Sequence, residues 1–464
     1  MPIDIIKLRK WFIFLCVVFM VIGAWVGLVL QPIFTLASLI TFVILTSFFV
    51  MPQAIIPLLL VVRSSLDIFS KVGFKVGPML LNIPSLTSLL ILCFGGAYII
   101  LNICIKKYMA IDRVGKAFFL WISTLLFWVF IAYNNFHIDG LAGLREWIRL
   151  ASLFTIYALS YQLAQIMDYR NIIRYIFFAL PVPLLLGLYQ VITSTGIKVD
   201  GINRVSGTLA HPNSFALFLV LFIGLTLWKV ISKKNKALWL LLLMTEMFVL
   251  INTFSIGGIA MFIIMCTVLI FRTMKKKYRI IGAVFVLSVI IGFSLHPAGQ
   301  LRIAEISRTG DPLEAMKTGR ISGEGSFAWR ILNWRMFFEE WKERPLLGYG
   351  LSTTTEMVSP MGNIPHNDYL RFMVETGLIG LLVFLWFLIL LGKEIWKACC
   401  ASNMVNPEFS NLAFIVFSIY MAWVAGSFAD NFITATGFQY YFWALLGILM
   451  GQSHKLRVLN KIMR

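Results

Sequence analysis

Residues 363–381 read NIPHNDYLRFMVETGLIGL, and the fold turns on this stretch because a polar turn runs straight into an apolar run. Pro365 restricts the chain ahead of His366, Asn367 and Asp368 suit a helix start, and from near Thr376 onward the residues are lipid-soluble. Asp368, Arg371 and Glu375 make this boundary dense in ionisable groups. Such residues at a membrane boundary are functional candidates by default. The bland alternative is an interfacial histidine capping the helix, with Asp368 a helix-start carboxylate favoured by the dipole.

Upstream, ERPLLGYGL at 343–351 ends a pattern in which Trp334, Phe337, Phe338 and Trp341 recur at helical spacing among Arg330, Arg335 and Lys342. It predicts an interfacial helix on the outer leaflet, which would also wall a site at His366. Before it, Arg308–Gly325 is polar and Gly-rich, and 296–365 as a whole is the one sizeable extramembrane segment. A second dense patch, RVSGTLAHPN at 204–213, follows another apolar run. The two patches are expected to face each other outside the membrane and form one active site.

The rest of the 464 residues explains why. The chain is 59% hydrophobic and 13% charged, with a mean hydropathy of +0.86, far from a soluble domain. The net charge of +19 is spread in short clusters between apolar runs (Lys106–Lys107, Lys233–Lys236, Arg272–Arg279, Lys455–Arg464). That is topology information and excludes a nucleic-acid stripe. Lys7, Arg9 and Lys10 precede an apolar run, 11–30, too long for a signal peptide and without a small-residue cleavage site, so it reads as an uncleaved first span. Runs able to cross about 30 Å of hydrocarbon predict an all-α polytopic integral membrane protein with about fourteen transmembrane helices. The count is about twelve if the tight turns at 51–53 and 253–255 do not separate spans. Within 54–70, Arg63 and Asp67 share a helical face and can pair. The division is 1–295 in the membrane, 296–375 as a large extracytoplasmic loop with short amphipathic helices, and 376–464 in the membrane, both termini cytoplasmic. Six cysteines at no ligand spacing give neither a disulfide framework nor a zinc site, and no metal or cofactor is expected.

A lone interfacial arginine such as Arg204 commonly snorkels to lipid phosphate. Gly207 and the His211-Pro212-Asn213 turn instead argue for a shaped backbone, and guanidinium suits bidentate phosphate contact. His211 reads as a turn-stabilising hydrogen-bonder; His137, His296 and His454 carry no supporting context.

RVSGTLAHPN, the Arg330…Trp334…RPLLGYG run and HNDYLRFMVETGLIG together resemble the O-antigen ligase and O-antigen polymerase family of bacterial membrane glycosyltransferases. The motif-bearing part is roughly 200–385. The resemblance implies metal-independent transfer of a glycan from an undecaprenyl-pyrophosphate donor to a glycan or lipid-linked acceptor on the outer face of the cell membrane. On the matching positions, His366 would act on the acceptor hydroxyl, Arg204 would grip the pyrophosphate, and Arg330 would line the loop side, with Asn213, Asp368 and Glu375 in support. Many members carry Ser-Arg-Gly where this chain has Ser255-Ile256-Gly257, so Arg320, Arg330 or Arg149 would supply the second phosphate-binding charge. A polymerase joining repeat units of a surface polysaccharide, with a chain-length regulator as partner, is the favoured expectation. A ligase moving finished glycan to lipid A core or another acceptor is the alternative. A flippase or transporter should show repeated halves and mid-span charges, whereas this chain concentrates its polar residues in one loop.

Overall fold

The computed structural model describes residues 60–462 apart from 62, 70–72, 77–78, 101–110, 137–139, 200–201, 233–234, 274–275, 308–313, 315–316, 319–325, 356, 358–363 and 403–405. The first predicted spans, 11–30 and 33–50, and Arg320 lie outside them. The protein is an all-α, multi-pass membrane protein, and among the described residues its strands are confined to two short hairpins. The hairpins are β1 (Gly73–Val76) with β2 (Met79–Asn82), and β3 (Ile197–Val199) with β4 (Ile202–Arg204). The helices in chain order are α1 (Ile83–Leu90), α2 (Arg113–Phe136), α3 (Gly140–Ile166), α4 (Tyr169–Phe177), α5 (Pro181–Thr193) and α6 (Pro212–Ser232). There follow α7 (Ala237–Asn252), α8 (Ile256–Thr273), α9 (Lys276–Leu295), α10 (Pro297–Ser307), α11 (Ser326–Glu343), α12 (Asp368–Ser402), α13 (Pro407–Gly426) and α14 (Thr436–Ile462). Among the described residues five helices are long and apolar enough to cross a membrane, or six if α9 and α10, bent by 89° at His296, count as one span. The predicted partnership within 54–70 is present: Arg63 pairs with Asp67, and both are buried.

The centre is a sandwich of α3, α6, α12, α13 and α14 around large buried aromatics, among them Trp121, Trp423, Trp443 and Phe218. Lipid gives helices no hydrophobic drive to associate, so close backbone approach matters. Gly447 and Gly451 of α14 supply it: a Cβ on either would come within 2.4 Å of the Tyr157 or Tyr161 carbonyl oxygen of α3.

One break decides where the site lies. Helix α12 is interrupted at Gly377 (φ 64°, ψ −171°), in the left-handed half of backbone space that glycine reaches without a Cβ penalty. A broken helix in a membrane must have its freed amides and carbonyls bonded within the protein, and the RPLLGYGL turn bonds them. The amides of Tyr349 and Gly350 donate to the carbonyls of Val374 and Glu375 (3.1 and 2.8 Å), while those of Leu378 and Ile379 donate to Pro345 and Leu346 (2.8 and 3.3 Å). Trp128 of α2 clamps the same turn, its indole donating to the Leu347 carbonyl (2.9 Å). The two sequence motifs are therefore the halves of one plug. It sets the first, short arm of α12, which starts at Asp368 with Asn367 Oδ1 accepting from the Leu370 amide (3.0 Å), an N-cap worth about 1 kcal/mol.

Candidate active site

His366 stands immediately before that arm, held at φ 49°. Left-handed backbone is uncommon for a side-chain-bearing residue and persists only where its surroundings enforce it. The surroundings here are α11 and the α13–α14 turn. Asn333 and Trp334 of α11 donate to the carbonyls of Ile364 and Pro365 (2.7 and 2.6 Å), and the Trp329 ring stands edge-on to the imidazole at 5.1 Å. From the other side, the Asn367 amide donates to Asn431 Oδ1 (3.1 Å) and the Asp368 amide to the Ser427 carbonyl (2.8 Å). The aromatic residues thus lie on a helix, as their spacing predicts, and that helix stands over His366. Its Phe337 packs with Tyr349, Leu370 and Val374 in a small apolar cluster of its own.

The 204–213 patch arrives from the opposite direction. The β3–β4 hairpin delivers Arg204, and Gln190 of α5 accepts from the amides of Ser206 and Gly207 (3.0 and 2.9 Å), shaping the turn. His211 Nδ1 accepts from the Asn213 amide (3.1 Å), the turn-stabilising role its position suggests. Arg204 is 2% exposed; its Nε donates to the Thr253 carbonyl (2.8 Å) and an Nη to Asn213 Oδ1 (2.7 Å).

Asp430 joins the patches. Its Oδ1 lies 2.7 Å from His366 Nδ1, its Oδ2 accepts from Asn213 Nδ2 (3.0 Å), and Arg330 of α11 stands 3.7 Å away. Burial alone would raise this carboxyl, but the hydrogen bond and charge of His366, and then Arg330, outweigh it and hold it at about 2. Asp430 is therefore a carboxylate that can only accept, so Nδ1 of His366 carries the proton toward it. In the neutral ring that leaves Nε2 as the basic nitrogen. The His366 side chain is 31% exposed, accessible enough to meet a substrate. Burial, followed by the neighbouring Arg204 guanidinium, lowers His211, with the His366 and Arg330 charges acting in the same sense and Asp430 opposing. Among the described residues no group of three or more His, Cys, Asp or Glu is placed to hold a metal ion.

His366, Arg204, Arg330 and Asn213 thus converge. Asp368 and Glu375 are placed elsewhere. Asp368 Oδ2 accepts from the Ile433 amide (3.0 Å), tying α12 to the α13–α14 turn, and Glu375 is taken by Arg371 (3.0 Å) and the Thr354 hydroxyl. Of the arginines expected to replace the absent Ser-Arg-Gly guanidinium, Arg330 is in the cluster, whereas Arg149 pairs with Glu146 on α3. Asp430 is the residue that sequence reasoning missed. Its signal is an ionisable side chain in SFADNF, between two apolar runs.

The family described as O-Antigen ligase matches residues 238–385, which contain α11, the plug and His366. Two curated relatives, each named "Putative polysaccharide ligase", are similar to part of the chain. The one from Rickettsia conorii is 25% identical over 243 residues, covering 46% of this chain and 53% of its own length. The one from Rickettsia prowazekii is 25% identical over 191 residues, covering 37% and 42%. The chain thus spans about half the length of the curated relatives it matches. Through its 238–385 segment, with the plug and His366 at its centre, this polytopic membrane protein is similar to the O-antigen ligase family.

Proposed function

We propose that the protein is a glycosyltransferase of the cell membrane that moves a glycan from an undecaprenyl-pyrophosphate carrier to an acceptor hydroxyl on the extracytoplasmic face. The observation that carries this reading is the carboxylate of Asp430 holding His366 on one oxygen while Asn213, itself bonded to Arg204, reaches the other and Arg330 stands beside it. A base, an orienting acid and two guanidiniums at the mouth of a span suit a substrate that is a polyanion on a lipid tail.

In the step, the acceptor oxygen forms a bond to the anomeric carbon and gives its proton to His366 Nε2. The bond from that carbon to the phosphate oxygen breaks, and undecaprenyl pyrophosphate leaves with the electron pair. The anomeric centre is oxocarbenium-like at the summit, and charge grows on the departing phosphate, where a fixed guanidinium is worth more than in the ground state. Arg330 is the accessible guanidinium for that contact, its side chain 18% exposed; Arg204 adds its charge from behind Asn213. Asp430 steadies the imidazolium as it forms. No step calls for a metal.

The relatives are named for ligation, and attachment of a finished chain and addition of repeat units use the same step. Gel analysis of the surface glycan after deletion of the gene separates them. Long chains lost, with one repeat still attached, means polymerase; full-length chains stranded on the carrier means ligase. An unchanged glycan would reject both.

A further inference from the structure

A cavity of about 410 Å³ lies beside the His366 cluster, bounded on the near side by Ile364, Ser214 and Thr434, each a few residues from His366, Asn213 or Asp430. Its other walls carry four arginines: Arg63, Arg145, Arg149 and Arg371. Arg63 is 1% exposed and bonds Asp67 and the Thr436 hydroxyl, yet its Nε has no partner among the described residues. Among the described residues the buried Nε of Arg149 has none either. Arg371, 4% exposed, is shared between Glu146 and Glu375 (3.0 Å each). Arg145 is exposed at the rim. Among the described residues four guanidiniums thus face three carboxylates, Asp67, Glu146 and Glu375, which leaves one cation in excess, with two buried donors and one carboxylate oxygen, Glu375 Oε2, unused. A purely structural ion network would be expected to close both accounts, because a buried unsatisfied donor costs about 1–3 kcal/mol. With His366 outside the membrane, these arginines also sit on the side from which the positive-inside rule depletes them.

We propose that this chamber binds an acidic group, a carboxylate or a phosphate, carried by the acceptor glycan, separately from the donor pyrophosphate. The proposal rests on the glycosyl-transfer reading. The volume is of the size of a small-molecule site, and planar guanidiniums are suited to both oxyanions. An acidic sugar held there would bring its neighbour's hydroxyl to the His366 side of the cavity.

Saturation-transfer NMR on the purified full-length protein tests this with three probes: glucuronate, glucose 6-phosphate and glucose. At least one acid should bind about tenfold or more tightly than glucose, and which acid does so names the source of the charge. An Arg145→Gln/Arg149→Gln variant should lose about tenfold in acid affinity, while Arg330→Gln should keep it. Glucose binding as well as both acids overturns the proposal on wild-type protein alone, whatever the variants do. So does a double variant that binds like wild type, or acid binding that falls with Arg330→Gln instead. Any of these results leaves glycosyl transfer intact, whereas an unchanged surface glycan in the deletion strain removes the acceptor role by removing transfer itself.

Discussion

In the proposed mechanism, Asp430 is the residue on which the chemistry of His366 depends. Asp430→Asn keeps the shape but lets the side chain offer an amide to Nδ1, so the wrong ring nitrogen can hold the proton. Transfer should fall by about ten- to a hundredfold, the scale of losing a charged hydrogen-bond partner, while donor binding survives. The carboxylate is held near 2, below its unfolded value of about 3.9. A depressed carboxyl contributes stability that is fully present above the unfolded value and lost as pH falls through the folded one. The gap in melting temperature between wild type and Asp430→Asn should therefore not close between neutral pH and about pH 4. A gap that closes well above that would mean Asp430 is not paired as described. Arg204→Lys retains the charge but cannot make both contacts, to Thr253 and to Asn213. A cost of about 1.5–3 kcal/mol should show as a lower melting temperature together with lower activity. Full activity in Arg204→Ala would leave this buried arginine with a structural role alone.

At the scale of elements, the break in α12 and its plug should behave as one unit. Gly377→Ala forces a Cβ to within 2.2 Å of the Leu346 carbonyl oxygen at a φ of 64°. That strain is worth about 1–3 kcal/mol. Trp128→Phe removes only the indole donor to Leu347 and should cost about 1 kcal/mol. Thermal melts of both variants in detergent check the ranking. The helices themselves are legible from hydropathy: the apolar stretches 116–133, 237–252 and 411–428 of the sequence appear as α2, α7 and α13 with ends shifted by few or no residues. The break was not legible, because a lone glycine in an apolar run is tolerated within a span, and only docking of RPLLGYGL against the freed carbonyls shows that α12 divides there. Asp430 escaped for a related reason. Periodicity locates side chains along a helix, but the meeting of His366 and Asp430 depends on how α13 and α14 turn back against α12. Asp368 and Glu375, closer in sequence, were drawn off by the Ile433 amide and by Arg371.

For the whole molecule, the reading requires both termini inside and 296–365 outside, since the cation clusters between spans fall on one side only in that arrangement. A cysteine introduced at Ser322 should react with a membrane-impermeant reagent in intact spheroplasts, and one at Ser232 should not; the reverse pattern would put the His366 cluster on the wrong face for a surface glycan. Purified activity should also withstand EDTA, and abolition rescued by a divalent ion would contradict a metal-free step. The central claim is that His366 takes the acceptor's proton. It is tested most directly by the transfer rate of His366→Gln in proteoliposomes with saturating lipid-linked donor, since glutamine keeps hydrogen-bonding capacity but has no basic nitrogen. General-base catalysis contributes about 10²–10⁴-fold, so the account predicts a fall of at least about a hundredfold with donor binding retained. Near-wild-type turnover would contradict it and leave His366 with a positioning role alone.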